Sequence, residues 1–125
     1  MKEIEFKEVD QVGGETLDVI SSADKFNRWT YDTIRPFCKG NILEIGSGVG
    51  NISQFFLQEG ASILLSDIRE GYCEELRLKF QSHSNLKGVE LIDLVDPAFD
   101  QKFKTLFDSF DSIFSLIQVT CFQGA

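Results

Sequence analysis

Cysteine, histidine and proline are scarce in this chain of 125 residues. The three cysteines (Cys38, Cys73 and Cys121) lie far apart, no C-x-x-C pair is present, and there is one histidine. The clustered Cys and His ligands of a zinc site are therefore missing, and no metal is expected. An odd number of cysteines, behind an N-terminus too charged to begin a signal peptide, fits a reducing cytoplasm. Each cysteine is predicted to be a small buried apolar residue.

Long apolar runs and positive charge are scarce too. No run approaches the roughly 18 residues that a membrane span needs, so no membrane partner is expected. The 12 Lys and Arg residues against 20 Asp and Glu give a net charge of −8, and an acidic chain is not expected to bind a nucleic-acid backbone. Apolar residues make up 42% of the chain, which at this length predicts one globular domain with one hydrophobic core.

The beginning of the chain is predicted to be an N-terminal segment followed by a helix. Residues 1–21 carry mixed charges and a pair of glycines, which favours an irregular or hairpin-like segment. Ser21 and Ser22 are candidate N-caps of the helix, and Pro36 is expected to end it because proline has no backbone N–H. The residues predicted to form the buried face of this helix are Phe26, Trp29, Thr33, Ile34 and Phe37.

Short apolar runs and helical periodicity alternate along the rest of residues 22–125, which are predicted to form one α/β domain. The predicted strands are 41–45, 62–66, 89–92 and 112–116. Helices are predicted at 51–58, at 70–81 and after Asp96-Pro97, where an acid can cap and a proline can begin a helix. Strands separated by helices imply right-handed crossovers and a parallel sheet whose faces are covered by helices.

The stretch ILEIGSGVG at 42–50 combines a buried strand, three glycines and a following helix. Gly46, Gly48 and Gly50 suit an abrupt strand-to-helix turn, because glycine adopts positive φ and lets a ligand approach the backbone. Asp67 closes the next strand, 21 residues after Gly46. A carboxylate at this offset accepts hydrogen bonds from ribose hydroxyls in nucleotide-binding βαβ units. A dinucleotide site would have its third glycine at the position of Asn51, so the spacing argues against a dinucleotide.

The pattern E-x-G-x-G-x-G from Glu44 to Gly50, with an acid at the end of the next strand, resembles class I S-adenosylmethionine-dependent methyltransferases. The resemblance covers about residues 26–116. It implies a Rossmann-like sheet with the strand order 3-2-1-4 and S-adenosyl-L-methionine as cofactor. It also implies methyl transfer to an unidentified acceptor, for which a small molecule is favoured.

By position, the resemblance assigns a set of cofactor-binding residues: Glu44, Gly46, Ser47, Gly48, Gly50, Asp67, Ile68, Asp93 and Leu94. The glycine loop would contact the methionine part of the cofactor through its backbone, and Glu44 would support the loop or bind the amino group. Asp67, at a strand end outside the core, would hold the ribose hydroxyls, and Ile68 would lie on the adenine face. Asp93 would accept from the adenine amino group, next to the backbone of Leu94. No catalytic residue is implied.

Two alternatives to a methyltransferase remain open. The family fold has seven strands and this chain supplies four, so the chain is expected to be an incomplete domain, the cofactor-binding half of a methyltransferase. One alternative is a non-catalytic S-adenosylmethionine-binding module that a partner chain completes. The other is a nicotinamide-dependent oxidoreductase domain, against which Asn51 and the lack of a Tyr-x-x-x-Lys pair argue. An apolar edge on the fourth strand (Ile113, Phe114, Leu116) predicts a homo-oligomer through that strand.

Overall fold

The computed structural model describes the backbone of residues 13–116 and the side chains of residues 21–116. The elements are α1 (Gly13–Ile34), a 3₁₀ turn (Arg35–Phe37), β1 (Ile42–Ile45), α2 (Ser53–Gln58), β2 (Ile63–Asp67), α3 (Glu70–Lys79), β3 (Leu86–Leu91), α4 (Phe99–Asp108) and β4 (Ser112–Ser115). All strand pairs are parallel, in the order β3-β2-β1-β4. The predicted α/β fold with a Rossmann-like sheet is confirmed. Cys121 and the other predictions for residues 1–12 and 117–125 lie outside the described residues.

The two central strands are buried along their whole length, as their continuous apolar sequences predict. Side chains alternate between the two faces of the sheet. One face packs against α2 and α3 through Phe56, Cys73 and Leu76, which are all fully buried. The other face packs against four apolar side chains of α4, at the spacing that the sequence predicted: Phe99, Phe103, Leu106 and Phe107. Helices therefore cover both faces of the sheet.

The predicted buried face of α1 is wrong at four of its five positions. Phe26 and Trp29 are each 62% exposed, Phe37 is 82% exposed, and Thr33 is exposed as well. Ile34 is partly buried and packs against the core. Among the side chains that the structure describes in α1 (residues 21–34), the buried one is Tyr31, whose ring packs edge-on against Phe56 at a centroid distance of 4.9 Å. This contact fixes the rotation of the helix, so residues two and five positions before Tyr31 point away from it. Phe37 lies in the 3₁₀ turn, beyond the helical repeat.

The N-terminus of α1 also differs from the prediction. The helix begins at Gly13, so Ser21 and Ser22 lie inside it and do not cap it. The irregular segment predicted for residues 1–21 therefore does not extend through Gly13–Ile20. The predicted end is confirmed, because α1 stops at Ile34 and Pro36 lies in the following 3₁₀ turn.

The approach to α4 differs in detail from the prediction. Asp96 Oδ1 accepts a hydrogen bond from the N–H of Ala98 at 2.8 Å, but the helix itself begins at Phe99. Asp96 therefore caps the turn before α4, and Pro97 is not its first helical residue. The carboxylate also pairs with Lys102 Nζ at 2.8 Å, which ties this turn to the first turns of the helix.

The strand order determines where a ligand can bind. The chain runs outward from β1 through β2 to β3 and then returns past β1 to β4. Loops on opposite sides of β1 therefore diverge at the carboxyl ends of the strands and leave a crevice there. The glycine loop after β1, Asp67 at the end of β2 and the segment after β3 all lie at this edge.

Candidate functional site

A cleft of about 780 Å³ lies at the carboxyl ends of the strands. Of the nine predicted cofactor-binding residues, eight line it: Glu44, Gly46, Ser47, Gly48, Asp67, Ile68, Asp93 and Leu94. The sheet thus brings together residues from three separate strand ends. The ninth, Gly50, is not part of the lining.

The backbone of the glycine loop faces the open cleft at two positions. Gly46 and Gly48 have φ angles of +76° and +60°, which residues other than glycine rarely adopt. A Cβ built at either position meets no atom within 4 Å. The absence of side chains at these glycines therefore leaves room for a ligand directly against the backbone.

Gly50 has a different role from the one predicted. Its φ is +86°, and a Cβ at this position would lie 2.6 Å from Cε2 of Phe80. Phe80 follows α3 and is buried. Gly50 is therefore required for close packing of the loop on α3, and the structure gives it no contact with the cleft.

Below the loop, Glu44 binds three serines, two through its buried carboxyl group and one through its backbone carbonyl oxygen. Glu44 is 2% exposed, and its Oε1 accepts hydrogen bonds from Ser47 Oγ at 3.0 Å and from Ser53 Oγ. Ser66 Oγ donates to the carbonyl oxygen of Glu44 at 2.6 Å. Burial raises the pKa of Glu44 to about 7, although the two serine hydroxyls favour the charged form and offset part of the effect. Glu44 connects β1 to the glycine loop and to the first residue of α2, so it supports the loop.

The prediction that Asp67 lies outside the core is wrong, because its side chain is 1% exposed. Oδ2 accepts from the N–H of Gly48 at 2.9 Å, and Oδ1 accepts from the N–H of Arg69 at 3.0 Å. The Arg69 guanidinium also donates to both oxygens. Burial favours the neutral acid, but these hydrogen bonds outweigh it and hold the pKa of Asp67 below its ordinary value. Asp67 is an ionised carboxylate that fixes the glycine loop against the end of β2.

The segments after β2 and β3 give the cleft an apolar wall with an acid beside it. Ile68 is 55% exposed and Leu94 is 45% exposed, and both present apolar surface to the cleft. Ile92 donates its N–H to the carbonyl oxygen of Asp67 at 3.1 Å, which ties the two segments together. Asp93 is half-buried, and its Oδ1 accepts from the N–H of Val95 at 3.0 Å.

The sequence interpretation missed two groups of cleft residues. Phe26, Asn27 and Thr30 reach the cleft from α1, and the only sequence signal was that Phe26 is out of phase with Tyr31. Arg69 and Tyr72 line it from the start of α3. The available signal for Arg69 was its position two residues after the acid that ends β2, because at this spacing the two side chains can form an ion pair across the turn.

Comparisons with known proteins give no family for this chain. No protein-family model matches it, and no curated protein is significantly similar to it in sequence. Within residues 13–116, no helix is long and apolar enough to cross a membrane, and no three His, Cys, Asp or Glu side chains are grouped to hold a metal ion.

Proposed function

We propose that the cleft binds S-adenosyl-L-methionine and that the chain is the cofactor-binding half of a methyltransferase. The observation that carries the proposal is the open glycine backbone at Gly46 and Gly48, held between two buried acids. Glu44 supports the loop from below, and Asp67 fixes it to the neighbouring strand. The glycine loop would take the amino-acid tail of the cofactor, and the carboxylate of Asp67 would accept from its ribose hydroxyls.

The residues present fit the parts of this cofactor. The backbone surface of the glycine loop is open to the amino-acid tail at Gly46 and Gly48, where no Cβ intervenes. The exposed side chains of Ile68 and Leu94 offer apolar surface to a flat base. Asp93, which lines the same cleft, would accept from the exocyclic amino group of adenine.

The bound cofactor would supply an electrophilic methyl group attached to a sulfonium ion. The chain's own contribution is to hold and orient the donor, because transfer to a good nucleophile depends mainly on proximity and alignment. The α1 side chains Phe26, Asn27 and Thr30 face the same cleft, and we assign them to the acceptor side. One apolar and two small polar side chains favour a small-molecule acceptor.

The site favours this cofactor over a nicotinamide dinucleotide. A dinucleotide fold uses its third glycine for close helix packing next to a pyrophosphate. Asn51 stands at that position, is exposed and lines the cleft, while packing on α3 falls to Gly50 instead. The chain therefore lacks the packing glycine that a dinucleotide site has at this position.

Calorimetric titration of the full chain with S-adenosylhomocysteine, and separately with NAD, tests the proposal. We expect S-adenosylhomocysteine to bind with a Kd in the micromolar range, about −8 kcal/mol. NAD should bind at least about tenfold more weakly, a difference of about 1.4 kcal/mol. Equal or tighter binding of NAD would overturn the ligand assignment.

A further inference from the structure

The carboxylate assigned to the ribose is already fully used by protein donors. Arg69 Nε lies 2.9 Å from Oδ1 of Asp67, and Arg69 Nη2 lies 3.3 Å from Oδ2. The N–H groups of Arg69 and Gly48 take one further position on each oxygen, at 3.0 Å and 2.9 Å. A carboxylate has about four lone-pair positions. Two ribose hydroxyls can therefore bind Asp67 only if two of these donors leave.

Only the guanidinium is free to leave. The two backbone N–H groups belong to the glycine loop and to the turn between β2 and α3, so moving them would unfold both. The Arg69 side chain is 58% exposed, and both it and Asp67 line the cleft. The guanidinium can therefore move into water, while Asp67, which is 1% exposed, must keep four partners. Two ribose hydroxyls would take the two positions on the carboxylate that the guanidinium leaves.

A second contact keeps the arginine beside the cleft. Its guanidinium carbon lies 3.8 Å from the centroid of the Tyr72 ring, within the range of a cation–π contact. The side chain of Tyr72 is half-buried and also lines the cleft. Rotation about the arginine side chain can release Asp67 while the guanidinium stays on the tyrosine face.

We propose that Arg69 acts as a latch on the cofactor cleft, which means that its guanidinium competes with a ligand diol for Asp67. This inference rests on the proposed function above. Its guanidinium pairs with Asp67 and lies on the Tyr72 ring; the ribose diol of the ligand would displace it from Asp67 while it stays on Tyr72. The latch keeps a buried carboxylate paired when no ligand is bound. It also lowers the affinity for any ligand that must reach Asp67 with a diol, so Arg69 is a residue that sets affinity rather than a ligand contact.

The test compares Arg69→Ala with Arg77→Ala by titration with S-adenosylhomocysteine. Arg77 lies on α3, which begins directly after Arg69, and its Nη2 donates to the carbonyl oxygen of Val89 at 2.9 Å, so its removal takes away the same charge without touching Asp67. We expect Arg69→Ala to bind about two- to fivefold more tightly than the wild type, because the diol no longer has to displace the guanidinium; this gain corresponds to about 0.4–1 kcal/mol. Arg77→Ala should bind like the wild type.

A second pair of ligands isolates the diol. Adenosine should gain affinity in Arg69→Ala, and 2′,3′-dideoxyadenosine, which has no hydroxyls for Asp67, should not. Unchanged or weaker binding of S-adenosylhomocysteine by Arg69→Ala, or an equal gain in Arg77→Ala, would overturn the latch and leave the proposed function standing. A lack of binding by all three proteins would overturn the proposed function, and the latch with it.

Discussion

The buried carboxyl group of Glu44 should make the stability of the fold depend on pH near neutrality. Its pKa is raised from 4.5 to about 7, first by burial and further by the charge of Asp67, against the opposing hydrogen bonds of Ser53 and Ser47. In the unfolded chain the group titrates near its ordinary value. At a pH between these two pKa values, the carboxyl group of Glu44 is protonated in the folded protein and ionised in the unfolded chain.

The sign and the size of the effect follow from linkage. The stabilisation is fully present below about pH 4.5, and it is lost as the pH rises through about 7. The pKa difference corresponds to about 3 kcal/mol, at about 1.4 kcal/mol for each pKa unit. Since small domains are stable by only about 5–15 kcal/mol, a change of this size is readily measured. The lowered pKa of Asp67 acts in the acid range and in the opposite direction, so the two windows are separate.

Urea unfolding of the wild type and Glu44→Gln at pH values from 4.5 to 8 measures this effect. Glutamine keeps an oxygen that can accept from Ser47 and Ser53 but cannot ionise. We expect similar stability near pH 4.5 and a Glu44→Gln protein about 3 kcal/mol more stable at pH 8. Glu74→Gln, at an exposed position on α3, controls for the loss of one negative charge. A constant difference between wild type and Glu44→Gln across the pH range would refute the reasoning.

Three further changes test other parts of the structure. Gly50→Ala should lower the free energy of unfolding, measured in urea, by about 2–4 kcal/mol, because Gly50 has a positive φ and the ring of Phe80 lies close to it. A loss below about 1 kcal/mol would contradict the packing role of Gly50. Asp67→Asn keeps an acceptor for Gly48 but loses the charge, so affinity for S-adenosylhomocysteine should fall about tenfold; an unchanged Kd in calorimetry would remove Asp67 from the site. Ile113 is 44% exposed on β4, which has β1 as its one strand neighbour within residues 13–116. Ile113→Lys should therefore shift the mass measured by light scattering toward the monomer. A wild-type chain that is already monomeric at micromolar concentration would contradict self-association through this edge.

The sheet was predictable because its signals are local. The two central strands are short apolar runs, of which β1 is followed by Gly46 and β2 ends at Asp67. The helices that follow show their inward faces by spacing. The apolar repeat of α4, from Phe99 to Phe107, packs on the sheet as expected. The burial of Cys38 and Cys73 is also confirmed.

The misassigned features depend on contacts between distant segments. Phe26 and Trp29 are as apolar as Tyr31, and only the position of Phe56 under α1 decides which of them is buried. A positive φ is required at Gly46 and Gly50 alike. Whether the missing side chain makes room for a ligand or for Phe80 depends on the fold of α3 and cannot be read from glycine spacing.

The most direct test of the central claim compares two glycines that differ only in their relation to the cleft. Gly46 and Gly60 have φ angles of +76° and +91°, and a Cβ at either position meets no atom within 4 Å. Alanine should therefore strain both positions by about 1–2 kcal/mol. Of these two glycines, Gly46 lines the cleft and Gly60 does not. Gly60 lies just after the C-terminus of α2.

The decisive measurement is the Kd of S-adenosylhomocysteine for Gly46→Ala and Gly60→Ala, with urea midpoints recorded for both. The account predicts similar losses of stability, an affinity at least about tenfold weaker for Gly46→Ala, and an affinity for Gly60→Ala within about twofold of the wild type. Equal affinities in the two variants would contradict binding of the ligand against the glycine loop.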